Sequence, residues 1–237
     1  AMAATYDGGD PDSMPAVTYP VVAETGATAK DFIPAGWVLE TEQRGDLNKD
    51  GRADLALVVR MNDPANVLTN EGMGDNPFDT NPRMLVAALA EADGRYRRVL
   101  ANHTLIRRRD NPVEDDIYKG MTIAQGLLRI SLTNFMNAGG WGTWNGTYAF
   151  RYQGQEFVLV GYDRSFLHRG SGETIDISIN YLTRQRKTVT GSIEDTKPGK
   201  PVWSREKPHA PITLESIPDG MMWHPDYPDG YPDETGQ

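Results

Sequence analysis

The chain has 237 residues, no cysteine and a formal net charge of −9, and 38% of its residues are apolar. This length and composition allow a sizeable buried core, while the absence of cysteine excludes disulfides and thiolate metal sites. The acidic charge argues against nucleic-acid binding, and the longest apolar run, Met84 to Ala90, is too short for a transmembrane segment.

Composition divides the chain into three parts. Residues 1–20 are rich in Gly, Pro and Asp and are predicted to form a flexible leader. Residues 21–194 are predicted to form a single β-rich domain. Residues 195–237 form a Pro-rich acidic C-terminal extension, which we expect to wrap along the surface or to be disordered. The polar start lacks the basic and apolar regions of a signal peptide, as expected of the mature form of an exported protein.

The first predicted elements lie in the N-terminal third of the chain. Residues Thr28 to Ile33 are predicted to form one helical turn, which Pro34 ends. Residues Asp54 to Arg60 read as a buried strand because they contain a continuous apolar run. The following segment, residues 63–83, is predicted to be a long irregular insertion, and insertions of this length are usually functional or mobile.

The remainder of the domain shows strands separated by short turns. The stretch "RMLVAALAEADGRYRRVLA" predicts a hairpin that turns at Asp93-Gly94. Turns are also predicted at Asn145-Gly146 and Gln153-Gly154. The other predicted strands are Leu127–Thr133, Thr147–Tyr152, Glu156–Tyr162, Ile175–Leu182 and Lys187–Ile193. Short strands at this spacing predict a mainly β fold built as an antiparallel meander.

The stretch "GDLNKDGRADLALVV", Gly45 to Val59, contains the most specific chemical pattern. Its oxygen-bearing side chains and one carbonyl fall at alternating positions of a calcium loop: Asp46, Asn48, Asp50, the carbonyl of Arg52, and Asp54. Calcium accepts six to eight oxygen ligands, whereas magnesium requires a stricter octahedral geometry. Leu57 stands where an EF-hand has its bidentate glutamate, and a strand follows instead of a helix. The pattern therefore predicts a Ca²⁺ site outside an EF-hand.

This stretch resembles the calcium-binding repeat called FG-GAP or VCBS, in which a D-x-[DN]-x-D-G-x-x-D turn leads into an apolar strand. The resemblance covers about Phe32 to Arg60 and implies calcium binding, propeller-blade structure and a secreted or surface location. A second complete copy is not found, since "PDYPDGYPDE" matches only the later positions. We therefore expect an antiparallel meander with one propeller-blade-like calcium-loop unit. The alternative fold is a regular β-propeller, which needs several similar blades.

A different interpretation of the same turn requires no metal. Asp and Asn side chains can bond to nearby backbone N–H groups and stabilise a turn by themselves. Three carboxylates within nine residues repel each other, so we favour the calcium interpretation.

A glycine-rich aromatic segment supplies the candidate ligand contacts. Trp141 and Trp144 precede the strand predicted at residues 147–152 and lie beside several glycines, so we expect them to be available to a partner protein or a glycan. The alternating aromatic residues within that strand are expected to pack in the core.

The sequence predicts no catalytic constellation, because none of the common hydrolase, metalloprotease or nucleotide-binding motifs is found. The acidic and basic residues between 107 and 116 are predicted to form a solvated charge cluster. We expect a non-catalytic exported protein (periplasmic, secreted or on the cell surface), stabilised by one structural calcium ion and binding a partner protein or a glycan. The alternatives are a polysaccharide-active hydrolase or lyase with unidentified catalytic acids, and a purely structural or inhibitory protein.

Overall fold

A computed structural model of the chain describes residues 4–8 and 13–228, which form strands and short 3₁₀ helices. The strands are β1 Thr5–Tyr6, β2 Thr25–Gly26, β3 Trp37–Gly45, β4 Asp54–Met61, β5 Val67–Asn70, β6 Phe78–Asp79, β7 Arg83–Ala90, β8 Tyr96–Asn102, β9 Tyr118–Ala124, β10 Leu127–Asn134, β11 Gly142–Gln153, β12 Glu156–His168, β13 Glu173–Asn180, β14 Gln185–Ser192 and β15 Val202–Arg205. The 3₁₀ helices include Ala29–Phe32, Pro64–Asn66 and Leu214–Ser216. No helix in the described ranges has both the length and the apolar composition needed to cross a membrane.

The largest sheet confirms the predicted antiparallel meander. Strands β9 to β15 pair in chain order, each antiparallel to the next, in one seven-stranded sheet. The turn after β11 lies at Gln153-Gly154 as predicted, and positive φ angles of 60° at Gly154 and 70° at Gln155 give the tight connection. The fold is mainly β, and none of the described sheets closes on itself.

A five-stranded sheet contains the strand that follows the acidic turn. Its order is β2-β8-β7-β4-β3, and the β7–β8 hairpin turns at Asp93-Gly94 as predicted. Strand β4 lies between β3 and β7, and both of its faces are buried. Leu55, Leu57 and Val59 face one core, while Ala56 and Val58 face the other. This explains why β4 is continuously apolar and does not alternate.

The two cores lie on opposite sides of the five-stranded sheet. The larger core joins this sheet to the seven-stranded meander, and its largest side chains include Tyr148, Phe150 and Tyr162. The smaller core is covered by the N-terminal segment through Val22 and Phe32, together with neighbouring apolar residues. The predicted helical turn therefore exists, as the 3₁₀ helix Ala29–Phe32, and it closes this second core.

The segment between β4 and β7 is more regular than predicted. It contains the 3₁₀ helix Pro64–Asn66 and the short antiparallel strands β5 and β6. Strand β1, within the predicted leader, adds to β5 in parallel. Tyr19, also in the predicted leader, stacks on His103 with ring centroids 3.9 Å apart. These contacts attach the described leader residues to the domain.

The C-terminal extension differs from its prediction. Its described part does not only follow the surface, because Leu214, Ile217, Met221 and Trp223 are buried in the larger core. Proline prevents periodic structure there but does not prevent single apolar side chains from packing. The part of the predicted acidic tail beyond residue 228 lies outside the described residues.

The prediction of a turn at Asn145-Gly146 is wrong. Both residues lie inside β11, where Gly146 pairs with Leu132 of β10 and Arg164 of β12. A Cβ at Gly146 would lie 3.1 Å from the ring of Trp144. The glycine therefore makes room for an indole ring and does not permit a turn.

Candidate functional site

The β3–β4 turn contains the predicted calcium ligands, and its backbone bends sharply. Lys49 and Gly51 have positive φ angles of 65° and 86°. Asp46 accepts hydrogen bonds from the backbone N–H of Asp50 at 3.1 Å and of Gly51 at 2.8 Å. The first carboxylate of the pattern thus closes the turn around its own backbone.

Asn48 and Asp50 continue this arrangement. The Asn48 side-chain oxygen accepts from the Asp50 N–H at 3.1 Å, so the oxygens of Asp46 and Asn48 converge on one N–H group. Asp50 accepts from the Arg52 N–H at 2.9 Å, from the Asn48 amide at 2.8 Å and from the Arg52 guanidinium. The hydrogen bond from the Arg52 N–H, followed by that from Asn48, lowers the pKa of Asp50. Asp50 is therefore held in its ionised form.

Asp54 lies beneath the turn and is fully buried, with 0% exposure. Its carboxylate accepts from the backbone N–H of Leu47 at 2.7 Å and of Ala90 at 2.8 Å. Burial raises the pKa of Asp54, and the nearby charge of Asp50 raises it further. No salt bridge within the described residues neutralises Asp54, since the Arg52 Nε atom donates to the Ala90 carbonyl instead.

These contacts bear on both interpretations of the turn. The hydrogen bonds from side chain to backbone are those expected of a turn that stabilises itself. The donor set is also suitable for calcium, because it consists of carboxylate and amide oxygens whose second lone pairs are not used by the N–H bonds. In the described ranges, however, no three His, Cys, Asp or Glu side chains are grouped closely enough to hold a metal ion. Calcium ligation by Asp46, Asn48, Asp50, Arg52 and Asp54 therefore remains a prediction.

The two candidate tryptophans lie in different environments. Trp141 is 68% exposed, just before β11, and stacks beside His168 with ring centroids 6.4 Å apart. Trp144 is only 5% exposed and belongs to the larger core. The guanidinium of Arg164 lies over the Trp144 ring, 4.5 Å from its centroid. The structure thus offers Trp141 to a ligand, whereas Trp144 is covered by protein on its own sheet.

The prediction of a solvated charge cluster at residues 107–116 is wrong. Glu114 is 2% exposed, and its carboxylate accepts two hydrogen bonds from Arg107, at 2.9 and 3.1 Å. Arg107 also contacts Asp110, at 2.9 Å, and Asp219 of the C-terminal extension, at 3.8 Å. Burial raises the pKa of Glu114 despite the charge of Arg107. Since both oxygens of Glu114 are bound to one guanidinium, this carboxyl joins distant segments and is not placed as a catalytic acid.

A second buried arginine was not found from the sequence. Arg83 is the first residue of β7 and binds Glu40 on β3 and Asp116 before β9, with distances of 2.5–2.9 Å. It therefore connects the two large sheets. No local pattern marks this network, because its members are separated by 33 and 43 residues in sequence.

Comparison of the chain with protein-family models, with curated proteins and with solved structures finds no match.

Proposed function

We propose that this chain is a non-catalytic exported binding protein whose β3–β4 turn holds one structural calcium ion. The observation that carries the proposal is the buried Asp54 carboxylate, which has no salt bridge in the described chain and is raised in pKa beside Asp50. Buried charges in proteins are usually paired or coordinated to a metal. A divalent cation near Asp54, Asp50 and Asp46 supplies the missing positive charge.

The ion takes its oxygen ligands from Asp46, Asn48, Asp50, the carbonyl of Arg52, and Asp54. With calcium bound, the mutual repulsion of the three carboxylates becomes attraction to a common cation. Strands β3 and β4 and their connecting turn then form one blade-like unit of the FG-GAP/VCBS kind. The role of the ion is structural, since it fixes the start of β4, a strand with both faces buried.

Export follows from the expected calcium affinity. A site with three carboxylates and no bidentate glutamate belongs with extracellular modules, which bind calcium at roughly 10⁻⁴–10⁻³ M. Free calcium in the cytosol is too low to fill such a site. The proposed location is therefore periplasmic, secreted or on the cell surface.

Trp141 is the proposed contact for the partner protein or glycan. Its indole is exposed next to Gly139 and Gly140 and lies over a rigid hairpin, since Arg169 N–H donates to the Trp141 carbonyl at 2.7 Å. An exposed aromatic ring on a fixed backbone can stack on a sugar face or fill a partner's apolar pocket at a small entropic cost.

The test measures metal and ligand binding separately. Isothermal titration with CaCl₂, together with melting curves in calcium and in EGTA, should show one site and a melting temperature that rises with calcium. A glycan array and a pull-down from culture medium should yield a ligand that Trp141→Ala loses without any change in melting temperature. Absence of calcium binding at millimolar concentration would contradict the metal proposal, and unchanged ligand capture by Trp141→Ala would contradict the binding surface.

A further inference from the structure

Strand β15 forms one edge of the seven-stranded sheet, and no described strand pairs with its outer side. The Glu206 N–H donates to the Arg184 carbonyl at 3.0 Å, which fixes the phase of the β14–β15 ladder. Hydrogen-bonded and non-hydrogen-bonded pairs alternate in an antiparallel ladder. Ser204 and Val202 therefore bond to β14, while the N–H and C=O groups of Trp203 and Arg205 point away from it. The open edge thus presents two unpaired residues' worth of main-chain groups.

The side chains at this edge form a shallow surface of about 500 Å³, lined by Thr183, Gln185, Trp203, Ser204 and Arg205. Trp203 lies opposite Lys187, and Arg205 lies opposite Gln185, in pairs whose side chains share one face. Trp203 is 63% exposed, so its indole is available to a partner. An exposed tryptophan between two cations combines an apolar contact with positive charge.

This edge has a charge opposite to that of the whole protein. Residues 183–207 contain seven Lys or Arg and three Asp or Glu, a local charge of +4 in a chain of −9. Of the basic residues, Arg186 is paired with Glu206 and Asp226. No acidic partner is found in the described chain for Lys187 or Arg205. The unpaired cations lie beside the unpaired main-chain groups.

We propose that the β15 edge binds an extended acidic segment of a partner protein, which adds to the sheet as a further strand. The main-chain groups of Trp203 and Arg205 hydrogen-bond the segment, as in other cases of strand addition. Trp203 covers an apolar side chain of the segment, and Lys187 and Arg205 contact its carboxylates. This proposal does not depend on calcium or on Trp141.

Two features distinguish this occupant from others. A second copy of the chain would place Lys187 and Arg205 against the same cations, and like charges across a ladder are unfavourable. Charged edge residues often serve only to prevent pairing. A strand that exposes Val202 and Trp203 is poorly suited to that purpose, because exposed apolar edges promote association.

The test uses fluorescence polarisation with the full chain and a labelled, end-blocked peptide of alternating valine and glutamate. The peptide should bind, and its affinity should fall at least tenfold when alternate amides along one edge are N-methylated. Trp203→Ala and Arg205→Glu should each weaken binding by a similar factor. Lys30→Glu, an exposed and distant change of the same charge, should leave binding unchanged. Circular dichroism confirms that each variant keeps its strands.

Four results would overturn the proposal. Equal binding of the N-methylated peptide would mean that charge alone attracts it. Binding of a sulfated polysaccharide that Arg205→Glu abolishes, without binding of the peptide, would assign the edge to a glycan. Self-association that Trp203→Pro abolishes, seen by light scattering, would assign it to a second copy. Peptide binding that appears only after removal of residues 229–237 would assign it to the chain's own terminus.

Discussion

The hydroxyl of Tyr148, in the middle of the seven-stranded sheet, donates a hydrogen bond of 2.6 Å to the carbonyl oxygen of Gly220, 72 residues later in the chain. Both ends of this bond lie in the larger core, and Trp223 packs on the Tyr148 ring with centroids 5.8 Å apart. A Cβ at Gly220 would lie 2.2 Å from the Leu105 carbonyl, so glycine permits this close approach. The C-terminal extension is therefore joined to the sheet by a buried polar bond as well as by apolar packing.

The Tyr148–Gly220 bond predicts opposite effects for one substitution at two sites. Tyr148→Phe leaves the Gly220 carbonyl buried without its donor and should cost about 1–3 kcal/mol of unfolding free energy. Tyr181→Phe removes a buried hydroxyl that has no hydrogen-bond partner in the described chain, so it should be neutral or stabilising. Urea denaturation of both variants measures the difference, and equal losses would contradict the assigned bond.

The two tryptophans should respond differently to truncation. Trp144→Ala opens a cavity in the core and leaves the guanidinium of Arg164 without its ring, so it should cost about 3–5 kcal/mol. Trp141→Ala removes an exposed ring and should change the unfolding free energy by no more than about 0.5 kcal/mol. Thermal unfolding followed by tryptophan fluorescence tests both, and comparable destabilisation would show that Trp141 is also part of the core.

The calcium proposal predicts that Asp50→Ala lowers calcium affinity more than any other single change in the turn. Asp50 supplies a central anionic ligand, and without it the remaining carboxylates still repel each other, so a loss of roughly tenfold or more is expected. Isothermal titration calorimetry measures the affinity directly. Glu24→Ala, an exposed change of the same charge, is the control and should bind calcium as the unchanged protein does. Undiminished affinity in Asp50→Ala would reject the ligand assignment.

His224 should make the protein less stable in mild acid. Burial, and then the charge of Arg164, lowers the pKa of His224 from 6.5 to about 4. Because the unfolded chain binds this proton more readily, the stability due to neutral His224 is complete above pH 6.5 and is lost as the pH falls toward 4, by about 3 kcal/mol at most.

The variant His224→Asn tests this pH dependence. Its side-chain oxygen can replace the Nδ1 atom that accepts from the Asp226 N–H at 3.2 Å, but it does not titrate in this range. Unfolding free energy measured from pH 7 to pH 4 should fall less steeply for the variant. Parallel curves for the two proteins would show that other groups cause the acid response.

Local patterns in the sequence predicted the parts of the fold that depend on near neighbours. The Asp93-Gly94 and Gln153-Gly154 turns are correct because glycine with positive φ suits a tight hairpin. The Asn145-Gly146 turn was wrong because the same dipeptide has a different use inside a strand, where Gly146 leaves space for Trp144. A dipeptide alone cannot distinguish these cases, since the neighbouring strands β10 and β12 decide between them.

The sequence by itself determined the mainly β class, the antiparallel meander and the position of the acidic turn before β4, because alternation, turn residues and spacing are local properties. The tertiary structure decided which polar and aromatic side chains are buried. Glu114 can lie in the core because Arg107 reaches it, and Trp144 differs from Trp141 because Arg164 of the next strand covers it. Burial depends on partners brought together from distant parts of the chain, and their separation in sequence carries no signal of that contact.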